Sequence, residues 1–571
     1  MQQVWPQAFV TNDKGDQTLE PGFVEGAEAV SVSPLTIAYT LNPAARWSDG
    51  VPITAADFIY NWREQLVYSA LLPDAGVLAG YRDISRITSS QRGHTVTVAF
   101  SHPFAGWESL FSDLVPAHIG ERYGWVNAFQ GFDPARVISG GPFEITRVVA
   151  GRELVLSRNP AYWATKPSLS QIVLKVMPTS AALAGLDSGS VSVAEAPPGP
   201  QNTNLLASAA RAGRALSSEE STLPTLWQLC LNMTSPTLQP AAFRLGLEDA
   251  LYLAQISSDS VGLEDETLGP SFDRFAPAAE AASGEQHPEP WNPATALGYL
   301  TSIGLVAGGD GYLRLGGVGP PITLSLLIPE ANATIREAAE VIQSELQAVG
   351  VRVVVREAPL STMLAKTMPE GSYELAIAPF LLTPFPAGEA LVYSVPVLPG
   401  IASSATASIP PVSNPALPWS APTPVGTEPG AEVAGVVTRD VFGLDDPLVS
   451  RFLGEALTNL NTSQAAAHLS DADTTMWQDV PTIPLFQQPI AVIHQSNLIN
   501  VSESSTWAGV FWDAQDWAVQ LTPPIPPQTF PGVIPPSTAT AAAAGKPASG
   551  GEPRLGVART ERIVEAKVSR R

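Results

Sequence analysis

Cysteine is almost absent from this chain of 571 residues, where Cys230 stands alone. An intrachain disulfide and a cysteine-based metal cluster are thereby excluded. Cys230 lies in the apolar run 223–233, which predicts a small buried hydrophobe rather than a nucleophile. Charge is scarce as well: 15% of residues are Asp, Glu, Lys or Arg, and the balance is acidic, with a net charge of −23 and a pI near 4.6. Such a surface argues against electrostatic capture of nucleic acid or anionic lipid. Long apolar runs are missing too, since none reaches the roughly 18 to 20 residues that cross a bilayer. The start of the sequence has no charged, apolar and small-residue succession of the kind that directs export.

Catalytic signatures are equally thin. Six histidines (His94, His102, His118, His287, His468, His494) are scattered without an H-x-x-x-H pair, so a histidine zinc site is not expected. There is no G-x-S-x-G elbow, P-loop or G-x-G-x-x-G. Gly185-Leu186-Asp187-Ser188-Gly189 has the look of a serine-protease string but reads better as a helix end, and Glu264-Asp265-Glu266 as a solvated loop. These absences predict no enzyme, no metal and no cofactor.

What the chain does have is a large apolar content, 45%, and 54 prolines, enough for a core divided among several lobes. The run Arg46–Trp62 ends a strand and starts a helix. In it Ser48-Asp49-Gly50 supplies turn chemistry, and Thr54 with Asp57 three residues on fits a helix cap. Phe58, Ile59 and Trp62 fall on one face of that helix. Period-two alternation marks strands at 94–100, 153–157 and 172–177. Ile322–Ile328 reads as a strand, residues 335–349 as an amphipathic helix closed by Gly350, and Val351–Glu357 as a second strand, with a third over Tyr373–Phe380. A strand, helix and strand in succession imply a parallel pair with a crossover, so the architecture is α/β with more than one sheet. Two stretches cannot build a core: the Pro, Ser, Ala and Thr-rich insertion 395–430, and the Pro and Ala-rich, basic-ended segment 521–571, read as a disordered tail.

The Arg46–Trp62 run resembles the WSDG-x-P-x-TA-x-DF segment of the family 5 extracellular solute-binding proteins, receptors of ABC importers. Ser139-Gly140-Gly141-Pro142-Phe143, the Arg158-Asn159-Pro160 and Tyr162-Trp163 run, Asn232 with Arg244, and Val480–Phe486 match further family segments in the family's order. The resemblance implies a two-lobed fold like that of the type II periplasmic binding proteins, with an extra small domain. On that frame 1–138 is the small flanking α/β domain, 139–240 with 488–520 lobe I, and 241–487 lobe II carrying the insertion. The first residues resemble a segment that follows a signal and an initial strand in relatives, so Met1 reads as an internal or misassigned start, and one lobe would lack its first strand if the chain were complete.

The implied function is extracytoplasmic, non-catalytic binding of a small peptide-like or amphiphilic ligand between the lobes, by a monomer serving an ABC importer permease. Relatives are tethered as lipoproteins, although this chain has no cysteine for the lipid near its start. In peptide receptors the third strand leads to a carboxylate that pairs with the peptide's ammonium. Thr383 stands there instead, with Glu389 the substitute acid if the match slips by one or two residues. Burying an ammonium without a carboxylate costs several kcal/mol, so peptide anchoring of that kind is expected to be absent. Trp227, Phe380, Thr383, Phe385 and Tyr393 map to the cleft and are the expected ligand-binding residues, the aromatic ones offering flat apolar faces or simply filling the lobe junction. The insertion and the segment 111–119 are also similar to a mycobacterial lipoprotein subset of the family. That subset acts on envelope glycolipid (phosphatidylinositol mannoside) synthesis through protein or glycolipid contacts, which is the alternative role.

Overall fold

The computed structural model describes residues 2–12, 16–20, 22–68, 80–129, 133, 136–261, 273–275, 291–383, 385–393, 440–503 and 509–520. The insertion 395–430, the segment 521–571, His287 and the acidic cluster at 264–266 lie outside the described residues.

Strands β1 (Val24–Val32), β2 (Leu35–Leu41), β3 (Ile84–Ser90) and β4 (Thr95–Phe100) form an antiparallel sheet in the order β1-β2-β4-β3. Alternation along β2 turns Leu35, Ile37, Tyr39 and Leu41 inward. Helix α1 (Ala55–Tyr68) covers them, with the Phe58 ring 5.7 Å from that of Tyr39. The turn before the helix behaves as its residues require. Gly50 takes φ +89°, and the Val51 amide donates to Asp49 Oδ1 at 3.1 Å. Asp57 does more than cap. Its Oδ2 accepts from the Thr54 amide at 2.8 Å, while Oδ1 accepts from Trp47 Nε1 at 3.2 Å and from the distant Ala117 amide at 2.9 Å, tying the helix start to a segment 60 residues away.

A second, three-stranded meander consists of β5 (Phe143–Val149), β6 (Glu153–Arg158) and β7 (Gln171–Lys175). Helix α2 (Thr179–Ser188) then ends at Gly189 in the left-handed region. The helix end accounts for the Gly185–Gly189 string: Ser188 Oγ donates back to Gly185 O at 3.1 Å, and Asp187 pairs with Arg214 at 2.7 Å.

The central sheet has six strands: β8 (Val193–Ala196), β9 (Leu216–Leu231), β10 (Thr323–Pro329), β11 (Arg352–Ala358), β12 (Leu375–Leu381) and β13 (Thr482–Gln495), ordered β8-β13-β9-β12-β10-β11. β10 runs parallel to both β11 and β12. On one face lie helices α3 (Ala241–Glu248), α4 (Leu253–Val261), α5 (Pro293–Ser302) and α6 (Ala333–Ala348), which bury an aliphatic core around Leu324, Leu326, Ile328, Ile342 and Ile377. α6 is the crossover between β10 and β11. Its Asn332 cap accepts from the Ile335 amide, and Gly350 at φ +83° closes it, with Val351 N–H reaching Leu346 O at 2.9 Å and Gly350 N–H reaching Gln347 O at 2.9 Å. The opposite face is covered by α7 (Ala390–Tyr393), α8 (Pro447–Thr458) and α9 (Thr462–Asp479), and its core runs on without interruption into that of the first sheet.

β9 and β13 are the two long strands, and they serve two neighbourhoods. Leu216–Thr222 pairs with Gln495–Pro489, where β8 lies alongside β13. The register then slips between Thr222 and Leu226, after which Leu226–Cys230 pairs with Gln487–Thr482, and Thr225–Leu231 takes β12 as its other neighbour. Irregular pairing over Leu223-Pro224-Thr225 interrupts the ladder between these two neighbourhoods.

Candidate ligand site

At this crossover the backbone is held by amides instead of charges. Gln487 Nε2 donates to Leu223 O at 2.7 Å, the Leu382 amide donates to Pro224 O at 2.8 Å, and Trp227 Nε1 donates to Gln488 Oε1 at 2.8 Å. Just beyond, β12 ends in Phe380 and Leu381, and Thr383 follows with its hydroxyl donating to Phe385 O at 3.0 Å. Thr383 thus turns inward on its own loop. The Glu389 side chain lies outside the described residues.

Phe380, fully buried, stacks on Tyr393 at 6.0 Å between centroids with ring planes 10° apart. Phe442 lies against both rings at 6.3 and 5.8 Å, again nearly parallel, and Phe275 meets Tyr393 edge-on at 5.6 Å. Phe385 is the next ring along. It packs edge-on to Phe104 of the flanking unit at 5.1 Å and lies so close to Gly106 that a Cβ there would stand 2.5 Å from its ring, so only glycine fits. Beside it the Ala105 amide donates to Leu457 O at 2.8 Å. The first sheet is therefore bolted to the α7–α9 face through Phe385.

Of the five residues expected at the cleft, Phe380 and Tyr393 are brought into one stack, with Phe385 and Thr383 on the adjoining loop. Trp227 is not part of that group. It belongs to the aliphatic core on the other face of the sheet, joined to the crossover only through Gln488.

Three members, Gln228, Phe442 and Phe275, escaped the sequence reading. Gln228, wholly buried on β9, donates from Nε2 to the Tyr393 hydroxyl at 2.8 Å, while its Oε1 is buried with no partner. The signal for it was present: an amide at an inward position of an otherwise apolar strand, Leu226-Trp227-Gln228-Leu229. Phe442 had no local signal, because it lies beyond the insertion.

Other buried polar groups nearby are structural. Arg274 stacks on Trp477 at 4.3 Å and is held by Asp473 Oδ1 at 2.7 Å and by Thr482 Oγ1 and O. Arg244 donates to the carbonyls of Asp479, Leu238 and Gln239. Cys230 is fully buried, and burial pushes its thiol up, away from the reactive thiolate. Further off, burial lifts Glu20 to about 8, although the Gln7 amide donating to Oε2 at 2.5 Å pulls it down; Asp113 adds a smaller upward push. Among the described residues no group of three or more His, Cys, Asp or Glu side chains is placed to hold a metal ion. His102, His118 and His468 each face a separate carboxylate, Asp83, Asp49 and Glu455.

A mixed sheet crossed by two shared strands, with an aromatic and amide-lined junction beside the crossing and a flanking sheet against it, defines a two-lobed binding protein of the periplasmic type. The chain belongs to the bacterial extracellular solute-binding proteins of family 5, whose model matches residues 18–395. It is similar to LpqW of Mycobacterium tuberculosis, described as a probable monoacyl phosphatidylinositol tetramannoside-binding protein, with 23% identity covering 87% of this chain and 83% of that one. It is also similar to the oligopeptide-binding protein OppA of Mycobacterium bovis, at 23% identity over 88% of this chain and 77% of that one. Among solved structures, the periplasmic EDTA-binding protein EppA superposes with a TM-score of 0.73 at 22% identity, covering 91% of both chains. The oligopeptide-binding protein AppA from Bacillus subtilis, in complex with a nonapeptide, gives 0.67 at 15% identity, covering 91% of this chain and 93% of that one. Among the described residues no helix is long and apolar enough to cross a membrane.

Proposed function

We propose that this solute-binding protein works outside the cytoplasmic membrane as a monomer. It captures a small amphiphilic or peptide-like ligand beside the β9–β13 crossover and presents it to an ABC importer permease, with no chemical turnover. In this reading 139–240 with 488–520 and 241–487 are the two lobes, 1–138 is the flanking domain, and the passage between lobes lies at Thr222–Leu226 and Gln487–Pro489. The observation that carries it is the side-chain set at the junction: Gln228, Thr383, Tyr393, Phe380 and Phe385 offer apolar faces and neutral hydrogen-bond groups. An unpaired ammonium buried against that set would lose its hydration without a counter-charge, so a free peptide N-terminus is a poor fit and an uncharged amphiphile a good one.

A second reading, regulation of envelope glycolipid synthesis through glycolipid or protein contacts, is favoured by the similarity to LpqW over most of both chains. Thermal unfolding with a peptide library and, separately, with mannosylated phosphatidylinositol tests the two. Ligand at 100 times its Kd adds about 2.7 kcal/mol to stability. A shift with peptides alone supports import of peptides, and a shift with the glycolipid alone supports the second reading. The absence of any shift in both arms overturns binding at this junction.

A further inference from the structure

Among the described residues of the junction, Gln228 is the feature that packing leaves unexplained. Its amide is wholly buried on β9 at the place where the β9–β13 register shifts a second time, between Trp227 and Gln228, and where Ala378 of β12 and Pro484 of β13 are its cross-strand partners. Neither of those side chains can hydrogen bond. The amide nitrogen is committed to the Tyr393 hydroxyl, and the Tyr393 ring is fixed by Phe380, Phe442 and Phe275. Oε1 is buried without a donor. Leaving a buried acceptor unpaired is destabilising, a cost that leucine or methionine at this strand position would avoid. A buried amide anchored through its nitrogen holds its oxygen as an acceptor in a fixed position.

We propose that Gln228 Oε1, fixed in place through the Tyr393 hydroxyl, accepts a hydrogen bond from a neutral hydroxyl of the ligand, so that the junction selects an uncharged polyol or sugar headgroup carried on an apolar body. This rests on the binding reading above and names its ligand class. A single carbonyl oxygen among aromatic rings is too little to hold a cation, since a desolvated ammonium needs a counter-charge as well as an acceptor. It suffices for a hydroxyl, which loses little on leaving water if its donor is used. The rings of Phe380, Tyr393 and Phe442, packed on one another and fully buried, make the surroundings of that oxygen apolar and uncharged.

The test uses the full chain with n-octyl α-mannopyranoside, its per-O-methylated derivative, which has no hydroxyl donor, and trialanine, each titrated by calorimetry against wild type, Gln228→Met and Tyr393→Phe. The proposal expects wild type to bind the octyl mannoside at least 10-fold more tightly than the methylated derivative. That preference should vanish in Gln228→Met and weaken in Tyr393→Phe, with neither variant unfolding at a lower temperature by more than a few degrees. Equal mannoside affinity in wild type and Gln228→Met overturns it and makes Gln228 a structural amide, satisfied by water. Trialanine binding that falls in Gln228→Met, with no mannoside binding, overturns it in favour of a peptide amide donor. Trialanine binding indifferent to Gln228, again with no mannoside binding, overturns the headgroup assignment and leaves the binding reading standing. If no probe binds wild type, both fall. Should Gln228→Met fail to fold, Tyr393→Phe carries the same comparison, because it frees the Gln228 amide without changing the volume of the site by more than one oxygen.

Discussion

The two faces of the β10–β12 half of the central sheet solve the same problem with different materials. On one face Leu324, Leu326, Ile328 and Ile377 meet four helices whose aliphatic stripes interlock, and a buried polar group such as Arg244 spends its donors on backbone carbonyls. On the other, Ala376, Ala378 and Phe380 leave room for a stack of rings contributed by α7, by the segment before α8 and by the stretch around Phe275. A glutamine is buried among them, and a loop ring, Phe385, joins the flanking sheet. Aliphatic side chains without polar atoms can fill space to crystal-like density from local pattern alone. Rings and amides need partners at set angles, and here those partners come from four separated stretches of chain. The first face is built to stay shut. The second has an unpaired acceptor and neutral polar groups next to the crossing strands, the features on which the proposed binding rests.

Arg274 offers the strongest way to break this contrast, since it sits beside Phe275 yet is fully paired. Its charge is held by Asp473 and Thr482 and sandwiched on Trp477. Arg274→Ala leaves Asp473 buried without its counter-ion and is expected to cost about 3 to 5 kcal/mol in chemical denaturation. A loss under 1 kcal/mol would mean that the guanidinium is a surface group.

Phe380→Ala and Leu326→Ala compare the faces directly. Both remove a fully buried side chain, at about 3 to 5 and about 2 to 5 kcal/mol respectively. Only Phe380→Ala should also weaken ligand binding, because only it removes a wall of the junction. Equal loss of binding in the two variants, scaled to stability, would erase the distinction between a structural and a binding face.

The contrast also explains how much of the molecule was legible in the sequence. Part of the aliphatic face was read: the strand, helix and strand at 322–357, the Gly350 closure and the third strand follow from period and punctuation within 60 residues, whereas helices α3, α4 and α5 on the same face were not. The capping segment Thr54–Trp62 was legible for the same reason, though Asp57's bond to Ala117 was not, because nothing local announces a partner 60 residues off. At the junction, family resemblance pointed to Phe380, Phe385 and Tyr393, and the structure brings them near one another. It separated Trp227 from them, since strand alternation turns adjacent residues to opposite faces, and Trp227 and Gln228 are adjacent. The same alternation, applied from Cys230 and Leu226 inward, would have selected Gln228.

A pH series sharpens the comparison from the flanking side. Glu20 is buried and lifted from the ordinary glutamate value near 4.5 to about 8. The folded state therefore holds a proton that the unfolded chain releases between those values. Stability should fall as pH rises from about 4.5 to 8, with a slope of about 1.4 kcal/mol per pH unit from this group alone. Glu20→Gln should flatten that segment of the profile while leaving ligand affinity unchanged. An unchanged slope in the variant would assign the pH response elsewhere, and a lost ligand would draw the flanking domain into the site.

The smallest effect tests whether the aliphatic face owes its order to local signals as claimed. Asn332 caps α6 through its side-chain oxygen and the Ile335 amide at 3.1 Å, at the surface and away from every residue of the junction. Asn332→Ala should cost about 1 kcal/mol, since one first-turn amide loses its acceptor to water. The loss should appear as a lower unfolding midpoint with an unchanged denaturant slope and unchanged ligand affinity. If α6 were held only by packing, the substitution would be silent. If the helix instead transmitted strain through β10 and β12 to the ring stack, affinity would change with stability. The first outcome would mean that the helix does not depend on its local cap, and the second that the two faces are not independent and that the face read from local pattern also shapes the one proposed to bind.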